Sequence, residues 1–457
     1  MESFISTHVF LPRHTISGLD FLKEKLSITS KYGGESIPTY KETGTHFGIP
    51  LYYPELMSYV NGHYIHDRRT DGNPVDFKFT STLRPNQQLL MDGFKRYIIG
   101  GDTGIVLDAL PGFGKTVLLL SMLSHLKRTA LVVVQKSDLV DQWVERICHP
   151  TKGHTDIPRE RIGVISGGEW DEPEGKDIFI ALVHTLNLER FPEKFKNYFG
   201  VVVFDEVDRS VPPATFAPVM SLFPSKFRIG ASATVTRNDG LHLILDYHIG
   251  EKVLTASDEG RMKPSVIIHR YKGTSGKIYG NSKLARRGVL LSKLSKNMER
   301  NELIAKYTNL IYKTDRRVIV ISDRTEQLAK INFMLRSRYG IPKEDIGYYV
   351  RQLSETPDTK RAITEKERKH TAKFCKIILA TYGMMKIGTD IPDLAGLVYA
   401  TPQTDITQVK GRIERMFKDK QVPVIIDIID THYSETVGSG ANRLRQYRSE
   451  QLNIKEY

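Results

Sequence analysis

The chain has 457 residues, 40% hydrophobic and 26% charged, a globular balance that excludes a mostly disordered protein and leaves room for about three domains. Its net charge of +13 suits a polyanionic partner. Cys148 and Cys375 are the only cysteines and stand far apart, which excludes zinc ribbons and disulfide scaffolds and points to a reducing cytoplasm. No apolar run approaches the roughly 18 residues of a membrane helix, and the first residues lack the pattern of a secretory signal.

Residues 1–80 are rich in aromatic and turn residues and predict short strands and hairpins in a small α+β domain, with a DNA-binding or accessory role. Phe47, Tyr52, Tyr53, Tyr59, Tyr64, Arg68 and Arg69 offer aromatic and basic contacts to DNA, or equally the filling of a small core. Over residues 81–255, short β-branched runs at 105–107, 131–134, 162–165, 178–181 and 201–204 alternate with helical stretches. The alternation returns over residues 316–435, with runs at 318–321, 377–380, 397–400 and 424–429. Near-continuous apolar strands between helices predict parallel sheets covered on both faces, hence two tandem α/β domains. Residues 256–315 between them read as a basic linker or insertion: from 261 to 300 there are eleven Lys or Arg and one acid, Glu299. Residues 436–457 read as a basic tail carrying Arg443, Arg445 and Arg448.

The segment Ala109-Leu-Pro-Gly-Phe-Gly-Lys-Thr116 follows one apolar run and precedes an apolar-periodic helix. That is the setting of a phosphate-binding loop, although Ala109 stands where the strict pattern has Gly. Gly112 and Gly114 let backbone N–H groups turn inward around an anion, and the helix start adds partial positive charge. Lys115 is then the residue to reach the β- and γ-phosphates of a nucleotide, and Thr116 the one to hold Mg²⁺. The second half of the site is Val201-Val-Val-Phe-Asp-Glu-Val-Asp208. Asp205 ends a buried strand, where open α/β sheets bind ligands, and is the second candidate for Mg²⁺. Glu206 is placed to orient and deprotonate a water. Together the two motifs predict an NTPase.

Further segments in the same order resemble the superfamily 2 helicases and translocases, from about Leu83 to Asp430. The resemblance implies two tandem RecA-like parallel-sheet domains and a nucleic-acid-stimulated ATPase using ATP and Mg²⁺. Leu83-Arg-Pro-Asn-Gln87 resembles the Q motif, which makes Gln87 the adenine reader, since an amide pairs with N6 and N7 of adenine. The segment from Leu131 to Trp143 resembles motif Ia, with Lys136 and Ser137 as DNA contacts and Trp143 as core. Ile180-Ala-Leu-Val-His-Thr-Leu186 resembles the next strand-contact motif and offers Thr185. Gly230-Ala-Ser-Ala-Thr-Val-Thr-Arg237 resembles motif III, in which Ser232 and Thr234, with Asp208 of motif II and Gln408 of motif VI, couple ATP to strand binding. Val318-Ile-Val-Ile-Ser-Asp-Arg324 resembles motif IV. Ala380-Thr-Tyr-Gly-Met-Met-Lys-Ile-Gly-Thr-Asp-Ile-Pro392 resembles motif V, with Thr381 toward DNA and Gly388 and Asp390 toward ATP. Gln408-Val-Lys-Gly-Arg-Ile-Glu-Arg415 resembles motif VI. Arg412 and Arg415 are three apart, so one helix would project both from one face toward a γ-phosphoryl group.

Within the superfamily the motif wording is most similar to the subgroup of tailed-phage branch-migration helicases, repair helicases and restriction motors. That subgroup implies a DNA helicase or translocase acting 3′ to 5′ on forked or four-way junction DNA in replication, recombination or repair. It also implies work as a monomer on DNA, with no membrane partner, in the cytoplasm of a bacterial host if the gene is a phage's. RNA is the second-ranked polymer. Lys283, Arg286 and Arg287 are the basic residues expected to meet duplex or junction DNA.

Overall fold

The computed structural model describes all residues except 32, 111, 188, 190, 207–212, 233–239, 258–260, 274–276, 355–359, 387–390 and 405, and the side chains of 213, 214, 283, 386 and 408. The chain forms two compact units, Met1–Ser257 and Asp258–Tyr457.

The first unit is built on an eight-stranded sheet. Its spatial order is Glu169–Trp170, Ile162–Ser166, Ile178–Leu182, Ala130–Val134, Val201–Asp205, Phe227–Ser232, Gly104–Asp108 and Val253–Thr255. All pairings are parallel except the hairpin at the first edge. Alternation along each strand sends Ile105, Leu107, Val132, Val201 and Val203 into one apolar cluster. Val106, Leu131, Val133, Val202 and Phe204 go into another. Both faces are covered, as the unbroken apolar runs require.

The N-terminal residues make a five-stranded, mainly antiparallel sheet ordered Lys41–Glu42, His46–Pro50, His8–Pro12, Ser3–Ile5 and Ile65–Asp67. Val9, Leu11, Phe47, Ile49 and Tyr53 pack into the same cluster as Val106 and Phe204, so this sheet shares a core with the larger one. Of the aromatic residues offered to DNA, Phe47 and Tyr53 are therefore core. The Tyr52 hydroxyl meets Thr103 Oγ1 at 3.0 Å, and Tyr64 stays exposed.

The second unit carries a seven-stranded, all-parallel sheet ordered Ile346–Tyr349, Ile377–Ala380, Arg317–Ile321, Leu394–Tyr399, Val424–Asp430, Ser265–Tyr271 and Asn453–Glu456. Two expectations are corrected here. The stretch 256–315 is not a linker: Ser265–Tyr271 is an interior strand, and the helices Lys283–Lys296 and Met298–Tyr312 follow it. Its charge is partly neutralised inside the unit, since the fully buried Arg300 guanidinium donates from Nε to both carboxylate oxygens of Asp430, at 2.8 and 3.1 Å.

Nor is 436–457 a tail. The helix Ser434–Ser449 leads into the edge strand Asn453–Glu456, and Arg443 is buried against Asp427 through two bonds of 2.8 and 2.7 Å. Tyr447 Oη donates to the same carboxylate at 3.1 Å. Removing one member of a buried pair strands the other's charge. Arg443→Ala therefore lowers the unfolding free energy of the second unit by about 3–5 kcal/mol, readable by urea denaturation, and leaves nucleic-acid affinity at native temperature unchanged.

Candidate functional site

Three neighbouring parallel strands bring their carboxyl ends together in the first unit. Register pairs Asp205 with Ala231 and Ser232 with Asp108. The chain leaving Asp108 is tied down at once, Ala109 N donating to Ser232 O at 2.9 Å. It then turns through Gly112 and Gly114, whose φ values of +87° and +89° lie in the left-handed region that glycine enters without strain. A Cβ on Gly114 would also come within 2.6 Å of Gln87 Nε2. The helix Lys115–Leu126 begins directly after, with Gly114 at its N-cap and Lys115 and Thr116 half-buried in its first turn. Lys115 Nζ donates to Ala109 O at 2.9 Å, folding the ammonium back over the loop.

Burial pushes the carboxyl of Asp205 up from the ordinary aspartate range, and the Lys115 charge, the Trp143 N–H and the Glu206 backbone N–H pull it back. Burial also raises Asp108, again opposed by Lys115. One cation thus serves two strand-end acids. Glu206 follows with φ +55°, a left-handed backbone in a non-glycine residue, which costs of order 1–3 kcal/mol. The Gln135 side chain donates to its carbonyl oxygen and holds the turn.

Trp143 is the residue that sequence reasoning missed. It is buried in the core as expected, yet its indole Nε1 donates to Asp205 Oδ2 at 2.8 Å across 62 positions of sequence. No local spacing signals such a contact. Trp143→Phe keeps the ring packing and deletes the donor, so it lowers the stability of the first unit by about 1–3 kcal/mol, measurable by urea denaturation.

Gln87 sits at the start of the helix Pro85–Ile99, buried, with its amide engaged by the phosphate loop. Its oxygen accepts from Arg84 N at 2.9 Å and its nitrogen donates to Phe113 O at 3.0 Å. The expected adenine reader is, in this structure, a brace for the loop. Arg84 also donates to Phe113 O.

Of the strand contacts in this unit, Lys136 is the half-buried N-cap of the helix Ser137–Cys148 and Ser137 is exposed. Thr185 differs from expectation: it is buried, and its hydroxyl accepts from Gly168 N at 3.5 Å. The short helix Val183–Leu186 turns it inward. Ser232 is buried at its strand end. Asp208, Thr234, Gly388 and Asp390 lie outside the described residues, as does the side chain of Gln408.

In the second unit Thr381, half-buried, follows the strand Ile377–Ala380, and its carbonyl oxygen caps Met385 N at 3.0 Å. The helix Thr407–Ile413 carries Arg412, which is buried. It ends before Arg415, which instead forms an isolated antiparallel bridge with Arg261. The expectation of both arginines on one helix face is corrected: Glu414 leaves the helix, held by Lys410 Nζ at 2.6 Å and by Arg261 Nη1 at 3.0 Å. On the helix Lys283–Lys296, Arg286 pairs with Glu435 at 2.9 Å and Arg287 with Asp323 at 3.4 Å, both partly exposed.

Among the described residues no group of three or more His, Cys, Asp or Glu is placed to hold a metal by itself. The oxygen donors on offer are the Asp205 carboxylate at its strand end and the Thr116 hydroxyl in the first turn of the helix Lys115–Leu126. These hard oxygens fit Mg²⁺, which in phosphate sites takes one or two protein oxygens and fills its shell with phosphate and water. No helix among the described residues is long and apolar enough to cross a membrane.

Residues 80–237 match the family described as "Type III restriction enzyme, res subunit". Protein L396 of Acanthamoeba polyphaga mimivirus, which bears the name of an ATP-dependent RNA helicase, is 26% identical over 440 residues, 93% of this chain and 78% of the relative. Helicase D10 of Escherichia phage T5 is 26% identical over 388 residues, 83% of this chain and 79% of the relative. Among solved structures, the DEAD-box helicase Mss116 bound to single-stranded RNA aligns with a TM-score of 0.54 at 16% identity, over 82% of this chain and 75% of that one. That likeness speaks for the fold: two parallel-sheet domains of RecA type. With the phosphate loop and the Asp205 strand end in the first unit and the motif VI helix in the second, the chain is similar to viral and phage helicases along most of its length, and residues 80–237 carry the matched family's domain.

Proposed function

We propose that the chain is an ATP-driven DNA motor that unwinds or branch-migrates forks and four-way junctions in phage replication, recombination or repair. The observation that carries the ATP half is the convergence of the glycine-turned loop, Lys115 and the buried Asp205 at strand ends that flank the strand Phe227–Ser232. Lys115 and the loop N–H groups hold the β- and γ-phosphates, and Thr116 and Asp205 hold Mg²⁺, which supplies charge neutralisation on the phosphates. Glu206 orients the attacking water and takes its proton. Arg412 and Arg415 are the arginines we assign to neutralising charge on the transferring phosphoryl group. A polymer that favours the hydrolysis-competent state then stimulates turnover.

DNA is favoured over RNA because the matched family is described by a restriction enzyme subunit, and the phage T5 relative bears the name of a helicase without mention of RNA. Lys136, Ser137 and Thr381 are the strand contacts we favour, with Lys283, Arg286 and Arg287 on duplex. The pairs of Arg286 and Arg287 with acids are exposed ones, worth about 0–1 kcal/mol each, so a phosphate competes for them readily. The name of the mimivirus relative supports a second reading, an RNA-directed motor.

The deciding experiment is steady-state ATP hydrolysis with no polymer, single-stranded DNA, duplex DNA, a four-way DNA junction and RNA. Stimulation chiefly by branched DNA is the expected result. Stimulation by RNA alone moves the protein to RNA remodelling, and indifference to every polymer ends the motor reading.

A further inference from the structure

Lys420 belongs to none of the motifs, yet it touches the backbone of two. Its Nζ donates to Ile413 O at 2.8 Å, to Arg415 O at 2.8 Å and to Pro392 O at 3.2 Å. Ile413 is the last residue of the helix carrying Arg412, Arg415 is the second motif VI arginine, and Pro392 closes motif V. An ammonium has three N–H donors, and here each has a carbonyl. The final carbonyls of a helix lack intrahelical donors and carry partial negative charge, so a cation at this point satisfies both needs.

The turn is gripped from its other side as well. The backbone oxygen of Glu414 accepts from Met262 N at 2.9 Å, and its carboxylate takes Lys410 and Arg261. The charges facing Lys420 are Arg415, Asp393 and Glu414. Asp393 is shared with Arg317 at 3.0 Å, and Glu414 with Lys410 and Arg261.

We infer that Lys420 is a positioning residue for ATP turnover, its ammonium clamping the turn that presents Arg415 to the segment that closes motif V. The inference rests on Arg415 acting at the γ-phosphate. No phosphate need touch Lys420: it acts through the three carbonyls. Burial first, and then the neighbouring Arg415, bring its pKa down to about 8. Below that pH all three donors are present. Above it the amine has two N–H bonds and a lone pair facing three carbonyls, so the clamp loosens as pH rises.

The test uses the full chain and follows polymer-stimulated ATP turnover between about pH 6 and pH 10, a window that brackets the lowered Lys420 value and stays below the ordinary lysine range. The wild type should lose kcat above about pH 8. Lys420→Met, with a chain of similar length and no donors, should lower kcat at neutral pH about ten- to a hundredfold while KM for ATP changes much less. Lys420→Arg keeps the charge at every pH used, so it should restore much of the turnover and remove the alkaline loss. If Lys420→Met fails to fold, as judged by a missing cooperative melt, Lys420→Arg decides alone: an alkaline limb like that of wild type overturns the inference. Wild-type kcat and pH profile in Lys420→Met overturn it too, and if Arg415→Ala is inactive in the same assay the parent reading survives. Full turnover in Arg415→Ala removes the parent reading and the inference with it.

Discussion

Lys115→Ala abolishes ATP turnover, by about a thousandfold or more, while leaving nucleic-acid binding largely intact. The ammonium is the cation of the phosphate loop, tethered to Ala109 O at 2.9 Å and close enough to hold down the carboxyls of both Asp108 and Asp205. Alanine removes the charge that would pass to the β- and γ-phosphates. It also leaves the buried Asp205 and the half-buried Asp108 without their shared cation, so both shift further toward the protonated form. Loss of hydrolysis with an unchanged Kd for single-stranded DNA, from a phosphate-release assay and fluorescence anisotropy, is the expected pair of results. Undiminished turnover would remove the phosphate-loop assignment.

Glu206→Gln is the second large effect and has a different signature. Glutamine keeps the shape of the side chain and its hydrogen-bonding reach but accepts no proton, so kcat falls by about 10²–10⁴-fold. ATP affinity holds, because Glu206 is not among the groups that would hold the phosphates. The variant should therefore accumulate with ATP bound, which equilibrium binding of a fluorescent ATP analogue reads directly. The strained φ of +55° is a backbone feature braced by Gln135, and the substitution leaves it in place. A fall in affinity equal to the fall in kcat would instead make Glu206 a binding residue.

The sheets were legible because each buried parallel strand is a short apolar run, and every run read between 105 and 204 forms a strand of the first unit. The phosphate loop was legible for a similar reason, since left-handed turns at 112 and 114 demand glycine at those places. The interior strand Ser265–Tyr271 escaped notice because flanking charge masked it: Val266 and Ile268 are buried, while the sequence around them is dominated by Lys and Arg. The motif VI pair was read as helical from its spacing alone, and spacing does not record where a helix stops. There Glu414 is the C-cap of the helix, and Arg415 passes into a bridge with Arg261.

What the sequence by itself determined about this protein is the backbone chemistry of its site: the glycines that let the loop turn, the lysine that follows them, and the acid at the end of an apolar strand. Such features are encoded within a few residues, by local sterics and local alternation. The tertiary structure alone decided which partner each buried polar group has. Trp143 reaches Asp205, Gln87 the phosphate loop, Arg443 Asp427, and Lys420 the carbonyls of Ile413, Arg415 and Pro392. A polar group leaves water at tolerable cost only where a complementary one is delivered to it. Those deliveries come from distant elements or across a turn, where no local periodicity records them.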